Sequence, residues 1–307
     1  MYSNPPAEPL TFAGLPPCSD IRQLQADIAI IGVPFGVPYP YQELHAATAP
    51  YAIRRQSQRL GHYLDHYDFT VGGPVLGDAG VRIVDCGDVP QVAQTLQSAM
   101  TEDAIRTILE HGAIPVVLGG DHSTTIPVIR SFEDRGPLCV VQVDAHIDFR
   151  DEVEGVRDGL SSGMRRASEL SWVDDIVQIG LRGVGSAKAE DVEASREAGC
   201  IHVLARDIHR QGIDLALEQI PEAKGYYITL DMDGVDPSIA PGVIAPSFGG
   251  LTYLQVLDLL QGIAQRGPIV GMDVVEVAAE QDPYSITISL AAQLALDAIG
   301  VIVRGRL

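Results

Sequence analysis

Basic residues are scarce in this sequence. It has 21 lysines and arginines against 41 aspartates and glutamates among 307 residues, which gives a formal net charge of -20 at pH 7. Nucleic acids and anionic membrane surfaces would repel such a chain, which argues against both as the main partner. A cationic molecule would be attracted instead. We therefore expect a cationic small-molecule substrate, with no nucleic acid and no membrane as partner.

Cysteine is also scarce, and no two cysteines have the Cys-x-x-Cys spacing. We expect Cys18, Cys86, Cys139 and Cys200 to be small buried side chains in a reducing compartment, with zinc or a disulfide as the alternative. The first twenty residues are rich in proline and lack a basic start followed by an apolar stretch. We therefore expect no signal peptide and a cytoplasmic protein.

Long apolar runs are nearly absent as well. The one long run, residues 286–303, is interrupted by Thr287, Ser289, Gln293 and Asp297. Because a membrane span tolerates few polar interruptions, the run predicts a buried C-terminal helix that continues into a last strand.

Short β-branched runs alternate with helical periodicity from residue 27 to the end of the chain. The predicted strands are residues 27–33, 81–85, 113–118, 138–143, 175–181, 201–204, 225–230 and 268–277. This alternation predicts an α/β fold with a single parallel sheet covered on both faces. No change in composition marks a second domain, so we expect an N-terminal arm (1–26) and one domain (27–307). Asp85 and Asp88, at the end of the second strand, are expected to cap the next helix.

The strand at residues 138–143 runs directly into three ionisable side chains, Asp144, His146 and Asp148. Alternate residues of extended backbone point to one face, so two carboxylates and an imidazole would converge at the end of this strand. Carboxylates this close disfavour ionisation unless a cation lies among them. The segment therefore predicts a divalent metal site, and a helix-capping role would need only one acid.

Two further strand ends carry side chains of the same kind. His122 follows the third strand, and Asp231 and Asp233 follow the seventh. Four carboxylates and two imidazoles exceed what one octahedral ion takes from protein, so two ions that share carboxylates fit better. Oxygen-rich ligation with some imidazole suits manganese, nickel or iron rather than structural zinc.

Three segments at these strand ends have a recognisable order of residues. They are Gly119-Gly120-Asp121-His122-Ser123, Asp144-Ala145-His146-Ile147-Asp148 and Asp231-Met232-Asp233-Gly234-Val235-Asp236-Pro237-Ser238-Ile239-Ala240-Pro241-Gly242. Together they resemble the signature motifs of the ureohydrolase superfamily, the arginases and agmatinases. The resemblance implies a three-layer α/β/α arginase-type fold with a central, mostly parallel sheet. It also implies a trimer or hexamer, and two divalent ions per subunit, manganese first and nickel as the alternative.

Carried over position by position, the resemblance implies six metal ligands. One ion would be bound by His122, Asp144, Asp148 and Asp231, and the other by Asp144, His146, Asp231 and Asp233. Asp144 and Asp231 would bridge the two ions.

The resemblance further implies hydrolysis of a guanidinium group. Guanidinium is a poor electrophile, and two metal ions lower the pKa of a bridging water enough to give hydroxide at neutral pH. Glu276 matches the family's guanidinium-binding glutamate and would hold the planar cation over that hydroxide. Asp148 would orient the hydroxide and pass its proton to the departing amine. Asp148 and Glu276 are therefore the expected catalytic residues.

The sequence departs from the family around the expected substrate site. Leu160 stands where relatives carry a histidine that is assigned to proton shuttling or substrate contact. Gly36 replaces an aspartate, residues 43–47 replace an arginine-containing segment, and the stretch after Glu276 lacks the usual Asn-Pro. An apolar side chain beside the scissile bond favours a substrate that carries alkyl groups there. We expect Leu160 and Glu276 to contact a guanidine-type substrate other than arginine or agmatine.

Two functions are open at this point. The first is a binuclear metal amidinohydrolase that cleaves a C–N bond of a guanidino, guanidine or biguanide compound and releases urea, or a substituted urea, and an amine. The second is a catalytically degenerate homologue that acts as a structural or regulatory subunit beside a homologous active chain. The ligand set with Glu276 favours the enzyme, whereas Leu160 favours the subunit. Amide deacetylation fits less well, because those relatives use one zinc and fewer acids.

Overall fold

A computed structural model of the chain describes residues 9–36, 39, 46–77 and 80–305. Within this part, the predicted apolar runs form one sheet whose neighbouring strands are all parallel. The strands are β1 (Ile28–Val33), β2 (Ile83–Asp88), β3 (Ile114–Gly119), β4 (Leu138–Val143), β5 (Val173–Leu181), β6 (Ile201–Leu204), β7 (Tyr226–Asp231) and β8 (Ile269–Val275). Their order across the sheet is β2-β1-β3-β8-β7-β4-β5-β6.

Helices lie between the strands in the chain and cover the sheet. They are α1 (Ala49–Gly61), α2 (Gln94–Glu110), α3 (Thr125–Arg130), α4 (Gly163–Ser168), α5 (Ala189–Glu197), α6 (Ala205–Gln211), α7 (Asp214–Gln219), α8 (Tyr253–Arg266) and α9 (Ile286–Gly305). α6 and α7 are not evident from the sequence, because both are short and lie in a polar stretch that lacks a long apolar period.

The two faces of the sheet contribute to two separate apolar cores. On β1, Ile28 and Ile30 pack with residues of α1, α8 and α9, whereas Ala29 and Ile31 pack with residues of α2, α3 and α4. All six residues of β1 are buried, as expected for a strand covered on both sides. The predicted three-layer α/β/α fold is therefore confirmed.

The C-terminal apolar run is helical to its end. α9 continues to Gly305 and packs against α1 and α8, so the prediction of a last strand is wrong. The β-branched residues Val301, Ile302 and Val303 suggested a strand, but their burial against neighbouring helices outweighs their β propensity. The stretch Pro283–Gly305 is long and apolar enough to cross a membrane, yet 78% of its apolar window is buried, which is typical of a core helix.

Asp85 does not cap a helix, and that prediction is also wrong. Its buried carboxylate accepts hydrogen bonds from the backbone N–H of Phe12 (2.6 Å) and from Nε (2.7 Å) and Nη2 (2.9 Å) of Arg54. Asp88 pairs with the same guanidinium, and α2 begins only after Ala93. Arg54 lies on α1, so this ion pair connects α1 and the N-terminal segment to the end of β2.

Candidate metal centre

Four neighbouring strands at the middle of the sheet, β3, β8, β7 and β4, bring the predicted site residues to one edge. All lie at or just after a strand end: His122 after β3, Glu276 after β8, Asp231 and Asp233 at the end of β7, and Asp144, His146 and Asp148 after β4. Because all strands are parallel, their C-terminal ends open into the same crevice. Segments that are distant in sequence therefore meet there.

His122 stands at the centre of one group of carboxylates. Its Nδ1 lies 2.8 Å from Oδ2 of Asp148 and 3.0 Å from Oδ2 of both Asp144 and Asp231. The backbone reaches this position because Gly120 passes close to Phe35. A Cβ on Gly120 would lie only 1.8 Å from the Phe35 carbonyl oxygen, so no larger residue fits without a shift.

A second group forms around His146. Its Nδ1 lies 3.1 Å from Oδ2 of Asp233 and 3.4 Å from Oδ1 of Asp144. Ligand atoms of His122, Asp144 and Asp231 form one compact set, and those of Asp144, His146 and Asp233 form another. Asp144 belongs to both sets, as expected of a bridging ligand, whereas Asp231 belongs only to the first.

The site holds more buried negative charge than its imidazoles can balance. Burial raises the pKa of Asp231 well above its ordinary value, and the charges of Asp233 and Asp144 raise it further. Burial and the charge of Asp144 raise the pKa of Asp148 to about 6. Burial alone would lower the pKa of His146, but its hydrogen bonds to Asp144 and Asp233 raise it to about 12. A divalent cation among these carboxylates would relieve their repulsion.

The donor set fits a metal ion. His122 Nδ1 is buried and makes no hydrogen bond of acceptable geometry to any described residue, although three carboxylate oxygens lie within 3.0 Å of it. A ring nitrogen that converges with carboxylate oxygens, without donating to any of them, is what a shared cation requires. Nitrogen and oxygen ligands of this kind suit manganese or nickel.

Asp148 and Glu276, the two expected catalytic residues, have unusual backbone conformations. Their φ angles are 43° and 67°, in the left-handed region that side chains other than glycine rarely adopt. Glu276 is 4% exposed, and its Oε1 accepts a hydrogen bond of 2.7 Å from the backbone N–H of His122. Such strain is typical of functional sites, where the surrounding structure holds a side chain in one direction.

A cavity of about 400 Å³ opens onto these residues. Both histidines and Glu276 line it, and so does Leu160, from the short 3-10 turn Leu160–Ser162. The structure thus brings Leu160 to the expected substrate site together with another apolar residue, Ile244. Of the altered segment 43–47, residues 43–45 lie outside the described residues.

Residues 183–187 line a larger cavity of about 620 Å³, which also contacts His146. No carboxylate belongs to its described lining, which includes Arg196 and His202. We take the smaller cavity as the candidate active site, because it alone of the two is lined by candidate ligands of both groups together with Glu276.

Two residues that support the site were not predicted. Gln142 donates from Nε2 to Oδ2 of Asp144 (2.6 Å) and accepts from Gln178. Arg182 donates to backbone carbonyls of the β7 turn and the loop after it, including those of Gly234 and Ser247. A glutamine inside an otherwise apolar strand was a usable signal, since a buried amide needs partners.

The model of the arginase family matches residues 26–300 of this chain. The chain belongs to the arginase family. It is 32% identical to the guanidinobutyrase of Pseudomonas aeruginosa, over 95% of this chain and 92% of that protein. It is 30% identical to the agmatinase of Pyrococcus horikoshii, over 94% of this chain and 95% of that protein. The predicted ureohydrolase resemblance is confirmed.

Solved structures of the arginase family share the fold. The proclavaminate amidinohydrolase of Streptomyces clavuligerus superposes with a TM-score of 0.85 at 29% identity, over 97% of this chain and 98% of that one. Members of the arginase family depend on a binuclear metal centre and form oligomers. The two ligand groups that share Asp144 agree with this family property.

Proposed function

We propose that this protein is an amidinohydrolase that cleaves a C–N bond of a guanidino, guanidine or biguanide compound, and that releases urea, or a substituted urea, and an amine. One observation carries the proposal. Two groups of metal-ligating side chains share Asp144 and open, together with Glu276, into one cavity. Relatives in the arginase family named guanidinobutyrase and agmatinase are hydrolases of linear amidines.

The proposed ligands divide between two divalent ions. His122, Asp144, Asp148 and Asp231 would hold one, and Asp144, His146, Asp231 and Asp233 the other, with manganese proposed first and nickel as the alternative. When bound, two such ions supply the acidity that makes water nucleophilic at neutral pH. A trimer or hexamer is proposed from the family, and an oligomer that includes a homologous second chain is the alternative. Residence in the cytoplasm is proposed from the free cysteines of the described chain.

Glu276 binds the substrate in this mechanism. Its buried carboxylate offers Oε2 and the second lone pair of Oε1 to a planar guanidinium, while His122 N–H fixes the carboxylate through Oε1. Burial raises the pKa of Glu276 well above its ordinary value, so a cation beside it is strongly favoured. The cationic substrate is thereby oriented with its central carbon towards the carboxylate-rich end of the cavity.

Asp148 handles the proton. It lies 2.8 Å from His122 Nδ1 and lines the same cavity as Glu276, so it faces the space in which water would attack the bound guanidinium. It takes the proton of the water and donates it to the amine that leaves. Leu160 cannot titrate, so this route does not use the histidine that relatives carry at that position.

Two measurements test the proposal. The first is the metal content of the purified chain. The second is the release of urea or amine from a panel of guanidine compounds after the chain is loaded with manganese or nickel. We expect two ions per subunit and turnover of at least one compound. A chain that binds no metal would contradict the proposed centre. Asp144→Asn, which alters the ligand shared by both groups, should abolish turnover, and Asp103→Asn on exposed α2 surface is the matched control.

A degenerate subunit of a mixed oligomer is the second candidate. Leu160 favours it, because the cavity then lacks the titratable group that relatives have there. Two results together would support this candidate over an independent enzyme. The chain alone would bind two ions but turn over no compound, and turnover would begin when a homologous chain from the same source is added.

A further inference from the structure

The ring of His122 is held from both sides. Nδ1 faces the carboxylates, and on the opposite side Nε2 lies 2.9 Å from Oγ1 of Thr229. Thr229 in turn donates from Oγ1 to Oδ1 of Asp273 at 2.6 Å. His122 is 1% exposed, and Thr229 and Asp273 are 0% exposed. A dry chain of hydrogen bonds thus runs from the metal-facing imidazole into the interior of the sheet.

Asp273 determines the direction of every hydrogen bond in this chain. Its Oδ2 accepts from Oη of Tyr227 (2.6 Å) and from Oγ1 of Thr125 (2.8 Å). Because its described partners all donate to it, Asp273 acts as an ionised acceptor. The single proton of the Thr229 hydroxyl therefore points to Asp273, which leaves an oxygen lone pair facing His122. Nε2 of His122 must then carry the hydrogen, and Nδ1 of the neutral ring must carry the lone pair.

We propose that Asp273 is a positioning residue for the ion bound at His122. Acting through Thr229, it fixes the tautomer and the ring plane of His122, so that the Nδ1 lone pair faces the ion. The inference rests on the metal centre of the proposed function. It assigns a role to a carboxylate that belongs to neither ligand group.

A purely structural role explains Asp273 less well. Burial raises the pKa of Asp273 and opposes its ionisation, which the hydroxyl donors only partly offset. An apolar residue would fill this place between the strands of a buried parallel sheet without that cost. Partners that orient a ligating histidine are worth about 10-fold to 100-fold in metal affinity.

Thr229→Val tests the proposal, because valine has the shape of threonine but lacks the hydroxyl. The measurement is the affinity of each of the two ions, by competition of manganese and of nickel with a chelator, and the metal count per subunit. We expect one of the two ions to bind ~10-fold to ~100-fold more weakly and the other to be unchanged. Asp273→Asn should act in the same direction.

Two further variants separate this role from general damage. Thr229→Ser keeps the hydroxyl and should restore both affinities. Tyr227→Phe removes a donor to Asp273 without touching the link to His122, so it should lower thermal stability while the two ions bind as in the wild type.

Three results have distinct meanings. A wild type that binds no metal refutes the proposed function and this inference with it. If the wild type binds two ions and the metal affinities of Thr229→Val and Asp273→Asn equal those of the wild type, this inference is refuted while the proposed function stands. Equal weakening of both ions, or failure of Thr229→Ser to restore affinity, also refutes it, because the effect would then be structural. If Thr229→Val does not fold, Asp273→Asn and Thr229→Ser decide the question by the same measurements.

Discussion

Replacement of the Glu276 carboxylate by an amide should separate substrate binding from metal binding. In Glu276→Gln the amide oxygen can keep the hydrogen bond from the His122 backbone N–H (2.7 Å), so the loop after β8 should stay in place. The amide nitrogen then takes the position of Oε2 and presents N–H groups to a guanidinium that has only donors. The binding partner of the substrate is removed while the packing is retained.

The size of the effect follows from the hydrogen bonds that the substitution removes. Each hydrogen bond to a charged group contributes ~1.5–3 kcal/mol, and the proposed pair has two of them. Loss of about 3–6 kcal/mol lowers kcat/KM by ~10²-fold to ~10⁴-fold. The metal count should remain that of the wild type, because Glu276 belongs to neither ligand group.

The same substitution should stabilise the substrate-free protein. Burial, with the charge of Asp121, raises the pKa of Glu276 well above its ordinary value. A carboxyl group whose pKa is higher in the folded than in the unfolded protein stabilises the folded state fully only at low pH. This stabilisation is lost as the pH rises through the pKa of the folded state. The variant should therefore melt about 2–4 °C higher than the wild type at neutral pH, the shift that ~1 kcal/mol produces, and the difference should shrink towards pH 5.

Steady-state kinetics, metal analysis and thermal melts of metal-free and metal-loaded protein check these expectations, with Glu280→Gln, on exposed surface four residues on, as the control. Retention of activity within ~5-fold of the wild type would refute the role of Glu276, since an amide cannot replace the ionic pair. Loss of bound metal from Glu276→Gln would refute the expectation that this substitution affects substrate binding without affecting metal binding.

Arg54→Met should lower the free energy of unfolding by ~3–5 kcal/mol, because it leaves the buried carboxylate of Asp85 without its cation; denaturant unfolding measures this. Asp297→Asn should gain stability relative to the wild type between pH 4 and pH 7. Burial raises the pKa of Asp297 from 3.8 to about 6, so the wild type loses up to ~3 kcal/mol as the pH rises through that range. Leu160→His should reduce turnover of N-alkylated guanidines by ~10-fold or more, because it replaces the apolar contact that we propose at the scissile bond.

Matched variants control these three experiments. Arg55→Met removes an exposed arginine next to Arg54 and should change stability by less than ~0.5 kcal/mol. A loss below ~1 kcal/mol in Arg54→Met would contradict the importance of the ion pair. A pH-independent effect of Asp297→Asn would contradict the raised pKa. Leu160→Met is the control for Leu160→His, because it keeps the site apolar. If Leu160→His gains activity on simple alkylguanidines and loses none on N-alkylated guanidines, the proposed apolar contact is contradicted.

The proposed metal ligands stand out in the sequence because they lie directly after buried strands. The apolar run before Asp144 and the carboxylates and imidazole that follow it are adjacent in sequence, and parallel strand ends necessarily open to one edge. The roles of Gln142 and Asp273 were not predictable in the same way. Each is a polar residue inside an apolar strand, and each is hydrogen-bonded to a residue of another strand, Gln142 to Gln178 of β5 and Asp273 to Thr229 of β7.

By itself, the sequence determined the strand-helix alternation, the parallel sheet and the residue types of the proposed centre, because periodicity and residue type are local properties. Only the tertiary structure decided that Asp85 pairs with Arg54 instead of capping a helix, and that the β-branched end of α9 is helical. It likewise brought Leu160 and Glu276 into one cavity. These outcomes depend on the order of the strands and on burial against distant segments, which local propensity does not encode.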